Sequence, residues 1–217
     1  MIIDNFSVLK SNLEFSYDGT YYIFMALCRE KDGLNILTST NTSTNLKTWI
    51  VDSKSKLEEL QPIMQHFCDL TGARLYYTVD RKSTLKTMNN MLKNLTETVI
   101  QQSYSDISIS INHLSKLFNH CAFIKESNSD KEHRYWFIDC DSKRSELFKA
   151  IYNFLGDSYI YHLDTPSGYH FVAKKNFDKR KFEENLEDYL PDLNKKLINY
   201  ATIKENAFGL AYYNIDI

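Results

Sequence analysis

The chain has 217 residues, a formal net charge of −2, 43% hydrophobic and 25% charged residues, and only three prolines and six glycines. That length can bury a substantial core, as one large domain or as two modules, and the composition excludes a disordered tail or low-complexity linker. The near-neutral balance excludes a uniformly basic nucleic-acid coat, so any contact with nucleic acid must be local.

Taken in order, residues 21–28 form an aromatic and apolar run that predicts a strand, followed by a turn at Lys31-Asp32-Gly33 and a polar loop over residues 38–45. Residues 46–51 resume strand character. Leu57, Leu60, Ile63, Met64, Phe67 and Cys68 recur at helical spacing, and Gly72 is suited to a left-handed cap. Residues 74–80 alternate as a strand, which completes a βαβ unit over residues 46–80. Arg81-Lys82-Ser83 then lies at its carboxyl end, where α/β sheets tend to place ligands. Ser83 or Thr84 caps a second helix, with Leu85, Met88, Leu92, Leu95 and Val99 on one face. A shorter helical pattern carries Ile111, Leu114, Leu117 and Phe118, and a charged loop over residues 125–132 marks a module boundary.

Past that boundary, Tyr135-Trp136-Phe137-Ile138-Asp139-Cys140-Asp141 predicts a buried strand ending in two acids. Strand alternation puts Asp139 and Asp141 on the face of Tyr135 and Phe137. A helix with Leu147, Phe148, Ile151, Tyr152 and Leu155 closes at Gly156, and strands over residues 159–163 and 169–174 flank the turn Thr165-Pro166-Ser167-Gly168. Asp178 caps a helix carrying Phe182, Leu186 and Leu190, and residues 197–203 and 207–217 supply one or two closing strands. From residue 134 onward the order is βαββαβ, the ferredoxin-like arrangement.

The other residue types add less. Fifteen tyrosines and thirteen phenylalanines read chiefly as sheet and core filling. Cys28, Cys68, Cys121 and Cys140 lack paired metal or redox spacing and read as reduced core thiols. Without an apolar run long enough to span a bilayer or the basic and apolar regions of a signal peptide, the expectation is a cytoplasmic protein with no membrane partner, in which the Asn94 sequon is a chance match.

The chemistry concentrates in two places. Two carboxylates at a strand end suit a hard divalent cation whose shell is completed by phosphate oxygens. In Ser167-Gly168-Tyr169-His170 the glycine allows backbone to approach a phosphate, and His170, Val172 and Lys174 share a face of the following strand. Plainer readings stand beside these: Asp141 as a cap of the next helix, His170 as a satisfied sheet histidine, Lys174, Lys175, Lys179, Arg180 and Lys181 as a solvated basic run, and Arg74, Arg81 and Lys82 as surface charges.

A hydrophobic strand ending in Asp-x-Asp (Asp139, Asp141), followed some thirty residues later by Ser-Gly-x-His (Ser167, Gly168, His170), resembles the first two motifs of the archaeo-eukaryotic primase superfamily, including primase-polymerases. The resemblance covers the catalytic half best. It implies an α+β architecture in which an N-terminal α/β unit, residues 1–130, packs on an RRM-like module, residues 131–217, as one globular unit. It further implies nucleotidyl transfer, with Mg2+ or Mn2+ on Asp139 and Asp141 and the triphosphate held by His170, Ser167, Gly168 and Lys174, joined by Arg81 from the N-terminal unit. The third family motif, a hydrophobic residue followed by an acid, is matched in form by Ile215-Asp216, so Asp216 is the expected third catalytic carboxylate; Asp192 and Asp164 are its rivals. Implied partners are nucleoside triphosphates, a nucleic-acid template, and a helicase or other replication protein. Two other readings stay open: a primase-fold protein without catalysis that binds nucleotide or nucleic acid, and a palm-type cyclase or metal-dependent phosphoesterase.

Overall fold

The computed structural model describes residues 1–15, 19–29, 43–104, 111–129, 134–187 and 200–215. In chain order the first half contains β1 (Ile2–Asp4), α1 (Phe6–Asn12), β2 (Thr20–Arg29), β3 (Ser43–Val51), α2 (Lys54–Thr71), β4 (Arg74–Thr78), β5 (Lys82–Ser83), α3 (Thr84–Tyr104) and α4 (Ile111–Phe123). The second half contains β6 (Tyr135–Cys140), α5 (Ser145–Leu155), β7 (Tyr159–Asp164), β8 (Tyr169–Lys174), α6 (Phe182–Glu187), β9 (Ala201–Lys204) and β10 (Phe208–Asn214). The protein is therefore a mixed α+β fold built on two antiparallel sheets, ordered β1-β10-β4-β2-β3, with β5 also on β2, and β7-β8-β6-β9.

The predicted βαβ unit forms with one strand interposed. Ser53 caps α2 by accepting from the Lys56 amide, Leu57, Met64 and Cys68 are buried along one side, and Gly72 ends the helix at φ 66°. The helix carries the chain across β2, so that β3 and β4 pair with β2 on opposite sides instead of with each other. The turn at residues 31–33 and most of the polar loop lie outside the described residues.

In the second sheet β6 is central. Ile138 and Cys140 on one face pack with Phe171, Leu147, Ile151, Phe182 and Leu186, so α5 and α6 cover that side. The opposite face is open only at one end. Phe137, Tyr161, Leu163 and Val172 join the core of the first sheet alongside Phe24, Leu75 and Tyr77. Large apolar residues on both faces of β6 make this the lower-energy arrangement, since exposing the second row would cost about 1.5–3 kcal/mol per side chain.

The last strand also departs from expectation. Residues 207–217 were assigned to the second module, but β10 lies between β1 and β4 of the first sheet, and β1 pairs along it from Ile2 to Asp4. Both chain ends thus build the first sheet. The charged stretch read as a boundary loop is in part a buried plug, since Ser127, Asn128 and Ser129 are all buried. The four cysteines are free and buried, and no helix among the described residues is long and apolar enough to cross a membrane.

Candidate active-site cleft

A cavity of about 740 Å³ opens between the two sheets, within the range of small-molecule sites. One wall comes from the second sheet: Asp139 on β6, Asp141 just beyond it, Ser167 in the β7–β8 turn, His170 on β8 and Lys204 on β9. The other comes from the first sheet, with Arg29 at the end of β2, Arg74 and Tyr76 on β4, and Phe208 and Leu210 on β10.

Register explains the meeting of the two motifs. Asp139 and His170 are direct partners across β6 and β8, and directly opposed residues project to the same face. The imidazole Nε2 of His170 lies 3.4 Å from Oδ1 of Asp139, while its Nδ1 accepts from the Leu210 backbone amide at 3.2 Å. An acceptor at Nδ1 puts the ring proton on Nε2, aimed at the carboxylate. Phe137 lies against the ring, with centroids 4.7 Å apart. Asn5 secures the wall from behind: its amide donates to the carbonyls of Asp164 and Leu210, and its Oδ1 accepts from the Asp164 amide.

Lys204, one residue beyond the predicted closing strand, donates to Oδ2 of Asp139. Burial by itself would raise the Asp139 carboxyl, but the hydrogen bonds from His170 and Lys204 outweigh it and hold the group well below the usual carboxylate range. Asp141 is exposed and accepts from the Ser167 hydroxyl at 3.1 Å. Glu205, at the rim, is held down to about 2, first by its hydrogen bond from Lys125 and also by Lys179.

Gly168 has a different reason from the one expected. A Cβ there would meet the Cys140 carbonyl oxygen at 1.9 Å, so glycine is required by the approach of the hairpin to β6, and the phosphate-cradle role is not needed to explain it. The turn closes through the Thr165 amide on the Gly168 carbonyl and the Gly168 amide on the Thr165 hydroxyl.

Two residues expected to hold the triphosphate are not brought to the cleft. Lys174 pairs with Tyr135 at the far end of β8, four residues from His170, which is about 13 Å along a strand. Arg81 is buried behind the first sheet, where its guanidinium reaches the Ser129 hydroxyl and the Glu14 carbonyl. A buried β5 forms there in place of an exposed ligand loop, because Lys82 is fully enclosed by oxygen acceptors. Asp216 and Asp192 lie outside the described residues. Asp164 ends β7 and binds Asn5 through its backbone.

Arg74, read from the sequence as a surface charge, lines the cleft, with its guanidinium 4.5 Å from the Tyr213 ring centroid. Arg29 and Lys204 were missed. Each is a single cation at a strand end, and the one available signal was its position one step past a predicted apolar strand. Arg29 is set by a hydrogen bond to the Tyr76 hydroxyl at 3.1 Å.

As a donor set, Asp139 and Asp141 fit one hard cation with phosphate oxygens completing its shell. Among the described residues no third His, Cys, Asp or Glu joins them in a metal-holding group. On β9 the residue opposite Asp139 is Thr202, and the side chain that reaches the carboxylate is Lys204. No family model, curated protein or solved structure matches this chain.

Proposed function

We propose that the cleft binds a nucleoside triphosphate with a divalent ion and that the chain is a primase-like nucleotidyltransferase acting on a nucleic-acid template. The observation that carries this reading is the convergence of Asp139, Asp141, Ser167 and His170, from two separated sequence motifs, opposite Arg29 and Arg74 in one cavity. The order β7-β8-β6-β9, with helices against one face, is that of a ferredoxin-like module and supports the RRM-like reading of residues 134–204.

Asp139 and Asp141 are the residues that would hold Mg2+ or Mn2+, which supplies neutralisation of phosphate charge during transfer. Arg29, Arg74 and Lys204 present guanidinium and ammonium donors to phosphate oxygens. His170 keeps its Nε2 proton directed at Asp139 because Nδ1 is occupied by the Leu210 amide, which fixes the orientation of the carboxylate that would hold the ion. Tyr76, Phe137 and Phe208 give apolar surface against which a base can lie. A helicase or another replication protein would supply strand opening.

The test is incorporation of labelled nucleotides on single-stranded templates with Mn2+, comparing the parent protein with an Asp139→Asn, Asp141→Asn double variant. The parent is expected to extend or initiate strands and the double variant to lose at least about 100-fold. Absence of product from the parent on varied templates would sink the polymerase reading.

One observation favours the second reading, a primase-fold protein that binds nucleotide or nucleic acid without catalysis. Lys204 already neutralises Asp139. Triphosphate binding by the parent that is independent of Mn2+ and abolished by Arg74→Ala, with no incorporation, is the outcome expected of that reading.

A further inference from the structure

The end of the second sheet away from the acids gathers cations from five chain segments. The start of β6 and the ends of β8 and β9 fall together there, because β6 runs antiparallel to both. Arg134 precedes β6, Lys175 follows β8, Lys179 opens the turn before α6, and Lys125 arrives from the stretch after α4. Glu205, one step past β9, is shared between two of them: Lys179 Nζ lies 3.2 Å from its Oε1, and Lys125 pairs with its Oε2.

Two of these cations are positioned by an aromatic ring. The Lys175 and Lys179 ammoniums lie 4.3 Å and 5.4 Å from the centroid of the Trp136 ring, and the indole is itself held by a hydrogen bond to the Phe177 carbonyl at 3.2 Å. A cation–π contact places an ammonium but leaves its charge available to an anion. Burial is the main cause that lowers Lys175; Glu205 and the buried Asp80 oppose it, while Lys125 and Arg134 add to it by repulsion. Arg134 Nε is buried and has no hydrogen-bond acceptor among the described residues. Like charges crowded together, with a donor left over, form an arrangement that a bound anion relieves.

The surroundings select the anion. Glu205 also lines the cleft, beside Lys204 and Asn206, so the cations continue the cleft wall outward. Trp136 lies three residues before Asp139, about 10 Å along β6. Lys175, Lys179 and Trp136 do not line the cavity, so a ligand that uses both places must carry more phosphates than one nucleotide does. Among the described residues of segments 123–139 and 171–187 no large apolar side chain is exposed, which removes the insertion anchors that a lipid surface requires.

We propose that this cluster is the track on which single-stranded nucleic acid approaches the cleft, with Lys125, Lys175 and Lys179 on its backbone phosphates. The proposal rests on the nucleotide reading of the cleft and adds to it the surface that holds the strand. Glu205 stands in for a phosphate while the track is empty. Its ion pairs with Lys125 and Lys179 are partly exposed and weak, so a phosphate chain displaces it.

Fluorescence anisotropy of a labelled oligothymidylate of about twelve nucleotides, titrated with the full chain at several salt concentrations, tests this. The parent is expected to bind with a Kd near about 10 µM at about 0.1 M salt, and log K should fall against log salt with a slope of about −2 to −3. Lys175→Ala with Lys179→Ala should weaken the oligonucleotide about tenfold or more and flatten the slope by about 1.4. The same double variant should keep Mn2+–triphosphate binding within about twofold and a Tm within about 4 °C. Lys179→Glu alone, at an exposed position, should weaken the oligonucleotide about fivefold, which keeps the test readable if the double variant unfolds. A parent that binds no oligonucleotide, or a double variant that binds it as the parent does, overturns the proposal. So do equal losses of oligonucleotide and triphosphate, and so does polyglutamate or a phosphatidylserine vesicle bound as tightly at the same salt, since the cluster would then read charge alone. Lysine-dependent oligonucleotide binding by a parent that binds no triphosphate sinks the cleft reading and leaves the track standing.

Discussion

Lys204 reaches across from β9 to put its ammonium on Oδ2 of Asp139, the carboxylate proposed to hold a divalent ion. The opposing strand position, Thr202, carries no charge, so β9 contributes a cation where a metal-binding strand would contribute an acid. The ion pair is half open on the lysine side, and its strength is therefore screened by solvent. On the proposed nucleotide-binding reading, Lys204 would occupy the carboxylate in the empty cleft and turn toward phosphate when a triphosphate binds.

Lys204→Ala separates the two roles. Removing a like charge from the metal position should tighten Mn2+ binding roughly five- to tenfold, about 1 kcal/mol for a partly exposed pair. The same substitution should weaken triphosphate binding by a similar factor. Titration calorimetry with Mn2+ alone, and then with a nucleoside triphosphate in chelator, reads the two effects separately. Equal weakening of both ligands would mean that Lys204 only braces the strand.

Gly168→Ala should be severe. Its Cβ would fall 1.9 Å from the Cys140 carbonyl oxygen and 2.6 Å from the Ser142 amide nitrogen, both backbone atoms that cannot swing aside. The hairpin must lift from β6, carrying Ser167 and His170 away from the acids. A loss of about 2–4 kcal/mol in urea unfolding is expected, together with loss of ligand binding under conditions where the variant remains folded.

The second module was legible in the sequence because its signals are local. A strand with apolar residues on both faces, a helix closed at Gly156 and a Pro-Ser-Gly turn each state their own conformation, and Asp139 and His170 followed from strand alternation. Pairing across long separations was not legible. β10 reads as a closing strand wherever it docks, and its place between β1 and β4 depends on residues 130 or more positions away. The α3 period was read correctly as one apolar face, but periodicity carries no information on which side the protein occupies. That was decided by Lys86 and Asn90 finding partners at Asn128 and Ser127, in a stretch whose polarity suggested a solvated loop, and by Asn94 reaching Cys121 on α4. Arg81 and Lys82 failed for the same reason, since a charged residue is read as exposed until its buried acceptors are known.

The two sheets are joined by a hydroxyl pair, Tyr77 on β4 and Tyr161 on β7, whose oxygens lie 2.8 Å apart in full burial. Burial pushes both phenols up, so they act as neutral donor and acceptor throughout the working pH range. Tyr77→Phe or Tyr161→Phe alone strands the other oxygen and should cost about 1–3 kcal/mol. The double variant removes both polar groups and should recover much of that loss, giving a coupling energy of about 1 kcal/mol or more in a double-mutant cycle. Additive losses would show that each hydroxyl has another partner.

Lys82 provides the pH test. It is fully buried, and Nζ meets the carbonyls of Phe123 and Ile124, Asn128 Oδ1 at 2.5 Å and Asn206 Oδ1 at 3.0 Å. Asn128 in turn donates to Asp80, so one ammonium ties β5 to the end of α4 and to the turn before β10. Burial is the main cause that lowers Lys82 from 10.5 to about 8, against the opposing pull of Asp80. Between those values the unfolded chain holds a proton that the folded chain has released. Its contribution to stability therefore rises with pH from about 8 to 10.5, by up to about 3 kcal/mol, and is flat below 8. Lys82→Met should abolish that component of the pH slope. At pH 7 it should still destabilise by about 2–4 kcal/mol, because four oxygen acceptors and the nearby Asp80 lose their cation. Urea unfolding of both proteins at half-unit steps from pH 7 to about 10.5 measures the difference in slope. Identical slopes would place the Lys82 ammonium in its ordinary range.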